Sequence, residues 1–125
     1  MKMATDNVSS IIVKIIQKTV QGEIKWEAID PPKYFEDGVE DIIPLLYVAS
    51  YKGKELAVFT RRFRHYFDED EFHWDERNCF AFLNESKNKI IWEVNDRRPI
   101  LNDLFSTVSE NAAGINNMLE NLFDD

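Results

Sequence analysis

The sequence predicts an α+β domain: an antiparallel β-meander of about five strands with the N-terminal and C-terminal helices packed on one face. Three observations lead there. Helical spacing of apolar residues is confined to the two ends of the chain, period-two alternation fills the middle, and short turns join the strand-like runs. Consecutive strands with short connections pair antiparallel, and a sheet with an apolar face needs a helical cover. The 125 residues make one domain, residues 1–125, long enough to bury a core without a metal or a disulfide.

The first helix is expected from about Asn7 to Gln21. Val8, Ile11, Ile12, Ile15, Ile16, Thr19 and Val20 form one apolar stripe. Thr5 or Asp6 is placed to cap it, and Gly22 supplies a left-handed stop. Ile24, Trp26 and Ala28 then alternate with charged residues as a strand that Pro31-Pro32 ends. Asp30 to Pro44 reads as a long surface connection. Leu45–Tyr51 and a strand from Lys54, running on to about Tyr66, flank Lys52-Gly53, the composition of a two-residue hairpin turn. Asp68 to Glu76 is expected to be an acidic loop holding Phe72, His73 and Trp74. Cys79–Leu83 and Lys89–Val94 are the last strands. From Pro99 the helical stripe returns through Ile100, Leu101, Leu104, Phe105 and Val108 and continues through Ile115, Met118, Leu119, Leu122 and Phe123. Asp96 is placed to cap it, and Gly114 marks a kink or a break. Trp26, Tyr47 and Trp92 are expected in the sheet core.

Thr19-x-x-Gly22-x-Ile24-x-Trp26-Glu27, Tyr47-x-x-x-Tyr51-Lys52-Gly53-Lys54, and Trp92-Glu93 ahead of Leu101-x-x-Leu104 form a pattern over most of the chain. It resembles small uncharacterised bacterial proteins of a helix–β-meander–helix kind. The resemblance implies the fold and brings no catalytic residues with it.

Fifteen Lys and Arg against 23 Asp and Glu give a net charge of −8. That field opposes non-specific binding to nucleic acid and adsorption to anionic membranes. No run reaches the roughly 20 apolar residues of a membrane span. With no secretory leader visible and a lone Cys79, the chain reads as cytoplasmic.

The candidate partner-binding residues are Asp68, Asp70, Glu71, Phe72 and Trp74, because aromatics set among acids are common interface anchors. A calcium loop fails on spacing: counted from Asp68, the Gly and Glu positions hold His73 and Cys79. His65, His73 and Cys79 match no zinc pattern, so no metal is expected. Cys79 sits in an apolar run and reads as a buried, inert thiol. Arg62, Arg64, Arg97 and Arg98 are the candidate anion-binding residues, the last pair just before a helix start. Arg61 should face the opposite side of the strand from Arg62 and Arg64. No Gly-rich phosphate loop or nucleophile elbow occurs, so no cofactor is expected. The leading expectation is a non-enzymatic protein-interaction or regulatory module, such as an immunity-type protein that blocks a basic partner surface. The alternative is a small-molecule, anion-binding or enzymatic domain with a pocket between sheet and helices. The C-terminal stripe also suggests a homodimer, since a helix from Pro99 to Phe123 would overhang a five-strand sheet.

Overall fold

The computed structural model describes residues 5–32 and 41–123. The chain runs α1 (Thr5–Val20), β1 (Glu27–Ile29), β2 (Leu46–Tyr51), β3 (Lys54–Tyr66), β4 (Phe72–Leu83), β5 (Ile90–Val94), α2 (Ile100–Ala113) and α3 (Ile115–Leu122). The five strands form one antiparallel sheet in sequence order, so the α+β meander is as expected. α2 lies across β1 to β4, and α1 packs mainly against α2.

The alternation of β2, β3 and β4 divides their side chains between two buried faces. Ala49, Leu56, Val58 and Phe80 meet Ile12, Ile15, Leu101, Leu104 and Val108 of the helices. Leu46, Val48, Ala57, Phe59, Cys79, Ala81 and Leu83 occupy the other face with Ile43. The segment read as a surface connection is therefore partly structural. Ile43 is buried, and Ile42 exchanges two 2.8 Å backbone hydrogen bonds with Arg62. Residues 33–40 of that segment lie outside the described residues.

α1 stops at Gly22, in the left-handed region at φ 82°, where the Glu23 N–H returns to the Lys18 carbonyl at 2.9 Å. Its expected cap falls on the side chains of Thr5 and Asp6, outside the described residues. Lys52 and Gly53 both take positive φ, 50° and 76°, as a tight hairpin requires. The first strand begins later than expected, at Glu27, yet Ile24 and Trp26 are still buried. The Trp26 indole donates to Thr19 Oγ1 at 3.0 Å, and its backbone N–H donates to Asn111 Oδ1 at 2.9 Å. One residue thus ties α1, the first strand and α2 together.

Three expectations change. The segment Phe72–Glu76 is strand rather than loop, because the turn closes earlier, at Phe67–Glu71. Trp92 is 41% exposed, its ring tilted against that of Phe82 at 5.4 Å on the edge strand rather than enclosed. Of the kink or break expected at Gly114, the break is what forms: Gly114, at φ 66°, ends α2 in the left-handed conformation and α3 follows as a second helix. Asp96 does not cap α2; it accepts instead from the Arg98 backbone and guanidinium.

Candidate functional site

β2 pairs with β3 only as far as Phe59, and β5 pairs with β4 only from Phe80 onward. The β3–β4 pairing itself continues to Tyr66 and Phe72. Seven more residues of β3 at ~3.3 Å each carry this hairpin about 23 Å beyond the last β2–β3 pair, its outer half leaving the body. The result is a two-stranded arm, joined to the body at its base by the Ile42–Arg62 bridge and by the Arg61–Glu93, Arg97–Asp75 and Asn78–Asn102 contacts.

Alternation gives the arm two faces. On the helix side Arg62, Arg64 and Tyr66 lie opposite Glu76, Trp74 and Phe72. The Arg64 guanidinium sits 4.9 Å from the Phe72 ring centre and 5.5 Å from that of Trp74, and Arg62 is 5.8 Å from Trp74. Tyr66 packs on Phe72 at 5.4 Å. Guanidinium over an aromatic face is a favourable electrostatic contact. It holds the aromatics upright on the strand surface, where Tyr66, Phe72 and Trp74 are 49, 39 and 41% exposed.

The opposite face carries Phe63, His65, His73, Asp75 and Arg77. The rings of His65 and His73 lie 5.0 Å apart, and Arg77 and Arg97 both stand over Phe63, at 4.5 and 5.8 Å. Arg61, on this face as expected, grips Glu93 bidentately at 3.0 and 2.7 Å. Asp75 is held below the usual carboxylate range by the Glu76 backbone N–H and then by the Arg97 guanidinium at 2.7 Å.

The tip carries Asp68, Glu69, Asp70 and Glu71, all exposed, with no ion pair to any of them among the described residues. The residues singled out for partner binding are therefore neighbours, with Phe72 and Trp74 on the flank of the arm and Asp68, Asp70 and Glu71 at its end. The four arginines singled out for anion binding are not brought together. Arg62 and Arg64 share the aromatic face, Arg97 belongs to the opposite one, and Arg98 is engaged by Asp96 and by Ser9 of α1. Sequence reasoning missed Arg77, whose buried Nε finds no hydrogen-bond partner among the described residues. Its only signal was its place three residues past Trp74, between the expected acidic loop and the strand from Cys79.

Cys79 lies deep in the sheet, where burial pushes its thiol up to about 12. No three His, Cys, Asp or Glu side chains converge to hold a metal among the described residues. Among those residues, too, no helix is long and apolar enough to cross a membrane. No protein-family profile matches the chain, and neither does any curated protein or solved structure.

Proposed function

We propose that this chain is a non-enzymatic protein-interaction module that uses the β3–β4 arm as its contact surface. The observation that carries the reading is the row of half-exposed aromatics on the arm, braced by Arg62 and Arg64 and ending in four carboxylates without ion pairs among the described residues. Aromatic anchors beside like charges fit a partner that offers apolar contact and basic groups together. Such an arm blocks or holds a surface and needs no reaction of its own, which suits a regulatory or immunity-type role. The acidic composition and the buried, unpaired thiol of Cys79 fit a cytoplasmic setting.

Position-specific photo-cross-linking tests this reading. A photoreactive residue at Phe67 should give one predominant adduct with a basic protein, or with a basic surface of this chain, while the same residue at Lys14 of α1 should not. The yield should fall several-fold at high salt and in an Asp68→Asn, Asp70→Asn, Glu71→Gln variant, because attraction to exposed charges is screened. Equal labelling from both positions, or thermal stabilisation by a small anion in place of any adduct, overturns it.

A further inference from the structure

We propose that the basic surface met by the acidic tip is on a second copy of this chain, and that two copies pair antiparallel through the outer edge of β4, centred on Trp74. The proposal rests on the arm being the contact surface and names its occupant.

Backbone geometry comes first. Hydrogen-bonded pairs alternate along an antiparallel ladder. Counted from the Phe67 N–H to Glu71 carbonyl bond that closes the turn, they fall on odd-numbered residues of β4. Phe72, Trp74 and Glu76 therefore turn their N–H and C=O groups outward, on the edge that β5 leaves uncovered below Phe80. The Arg62–Ile42 bonds on the other edge obey the same alternation. Glu76 N–H is occupied by Asp75 Oδ1 at 2.8 Å. Among the described residues nothing bonds the N–H groups of Phe72 and Trp74, which are the open donors of a strand edge to which another strand adds.

Charge then selects the register. Outward groups must meet outward groups, so a two-fold axis passes through the level of one residue. With the axis at His73, Glu71 faces Asp75 of the other copy. With the axis at Asp75, the two Asp75 side chains face each other and His73 faces Arg77. At Trp74 the pairs are Trp74 with Trp74, Phe72 with Glu76, His73 with Asp75 and Glu71 with Arg77. Only this last register sets Glu71 against Arg77 and no carboxylate against another. It forms four interchain backbone hydrogen bonds while leaving the Asp75–Glu76 contact in place.

The same register gives the tip a seat. An open cleft of about 320 Å³ lies between the β4 edge and the first turn of α2, lined by Glu76, Arg77, Asn78, Arg97, Leu101 and Asn102. Asp70 of the second copy falls opposite Asn78, and Glu71 opposite Arg77. Carboxylates with no ion pair among the described residues thus enter a cleft lined by two guanidinium groups, one of whose buried Nε finds no partner among those residues, beside the positive end of α2. Pairing also joins the two aromatic faces into one four-stranded surface.

Sedimentation of the full chain between about 1 and 100 μM should show a monomer–dimer equilibrium. Trp74→Pro removes an outward N–H and no ladder bond, so the chain should fold and its dimer dissociation constant should rise at least tenfold. Glu71→Arg, at an exposed position, should weaken the dimer similarly, and adding Arg77→Glu should restore it. Trp74→Cys should cross-link to itself under mild oxidation, since Cα atoms of a facing hydrogen-bonded pair lie ~5.5 Å apart, within disulfide reach. Phe72→Cys should not. Leu119→Glu with Leu122→Glu, on α3, should leave the dimer intact. A monomer at 100 μM, a dimer indifferent to both Trp74→Pro and Glu71→Arg, or one lost through the α3 substitutions, overturns the pairing. If the chain is monomeric yet Phe67 still cross-links to a foreign basic protein, the pairing fails and the interaction module stands. If neither occurs, both fail.

Discussion

Arg61 and Glu93 form the most enclosed of the ion pairs among the described residues, with side chains 16 and 14% exposed. Burial alone raises the Glu93 carboxyl, but hydrogen bonds and charge from Arg61, with a further bond from Asn95, reverse that and leave it below its ordinary value of 4.5. A carboxylate held low in the folded state binds protons more weakly there than in the unfolded chain. Its stabilisation is therefore complete above about 4.5 and is lost as pH falls through the lower folded value. Glu93→Gln should cost about 2–3 kcal/mol at neutral pH, because Arg61 then loses a bidentate charged partner. It should also flatten the fall in stability below pH 4.5. Urea titrations at pH 7 and pH 3.5 measure both, and an equal acid loss in the two proteins would exclude Glu93 as its source. The neighbouring Cys79 thiol, pushed up to about 12, should resist thiol reagents in the native protein and react on unfolding. Fast native labelling would refute its burial.

At the scale of elements, alternation reveals which side of the sheet a residue takes but not how far its cover extends. Trp26 and Trp92 look equivalent in sequence. Trp26 is enclosed between α1 and α2 with both of its N–H groups bonded, whereas Trp92 lies on β5, beyond the strands that α2 crosses. Trp26→Ala should therefore cost about 3–5 kcal/mol, and Trp92→Ala about 1–2 kcal/mol for a half-exposed ring. Thermal melts separate them, and equal losses would mean that β5 is covered after all. The turns at Gly22 and Lys52-Gly53 were legible because a positive φ demands particular residues. The arm was legible only on its β3 side. In β4 the alternation Phe72-His73-Trp74-Asp75 was present, but the surrounding acids outweighed it, and the contact of Arg64 with Trp74 depends on where the turn closes. Gly114 was legible as an interruption. That it ends α2 outright, leaving Met118, Leu119, Leu122 and Phe123 exposed on a short α3, depends on its φ.

At the scale of the molecule, the body and the arm are built to different stabilities. Over residues 46–49, 56–59 and 79–83 the sheet is buried on both faces. Past those residues two strands pair only with each other, apart from the Ile42 bridge, and their side chains are largely exposed. A two-stranded ribbon is marginal by itself, so the arm must draw its order from its junction with the body and from its own cation–aromatic contacts. Proteins open locally where buried apolar contact is sparse. The amides of His65 and His73, both in the arm ladder, should therefore exchange with solvent through local opening, well below the free energy of global unfolding. Those of Phe59 and Cys79, on the same ladder inside the body, should exchange only with global unfolding. Native-state hydrogen exchange against denaturant distinguishes the two classes by slope, near zero for the arm and near the global value for the body. Raising the protein concentration into the range of the proposed dimer should slow the arm amides and leave the body amides unchanged, because pairing at β4 doubles the strands across the arm. If His65 and His73 are as protected as Phe59 and Cys79 in dilute monomer, the arm is a rigid extension of the core rather than a surface that gains its order from a partner.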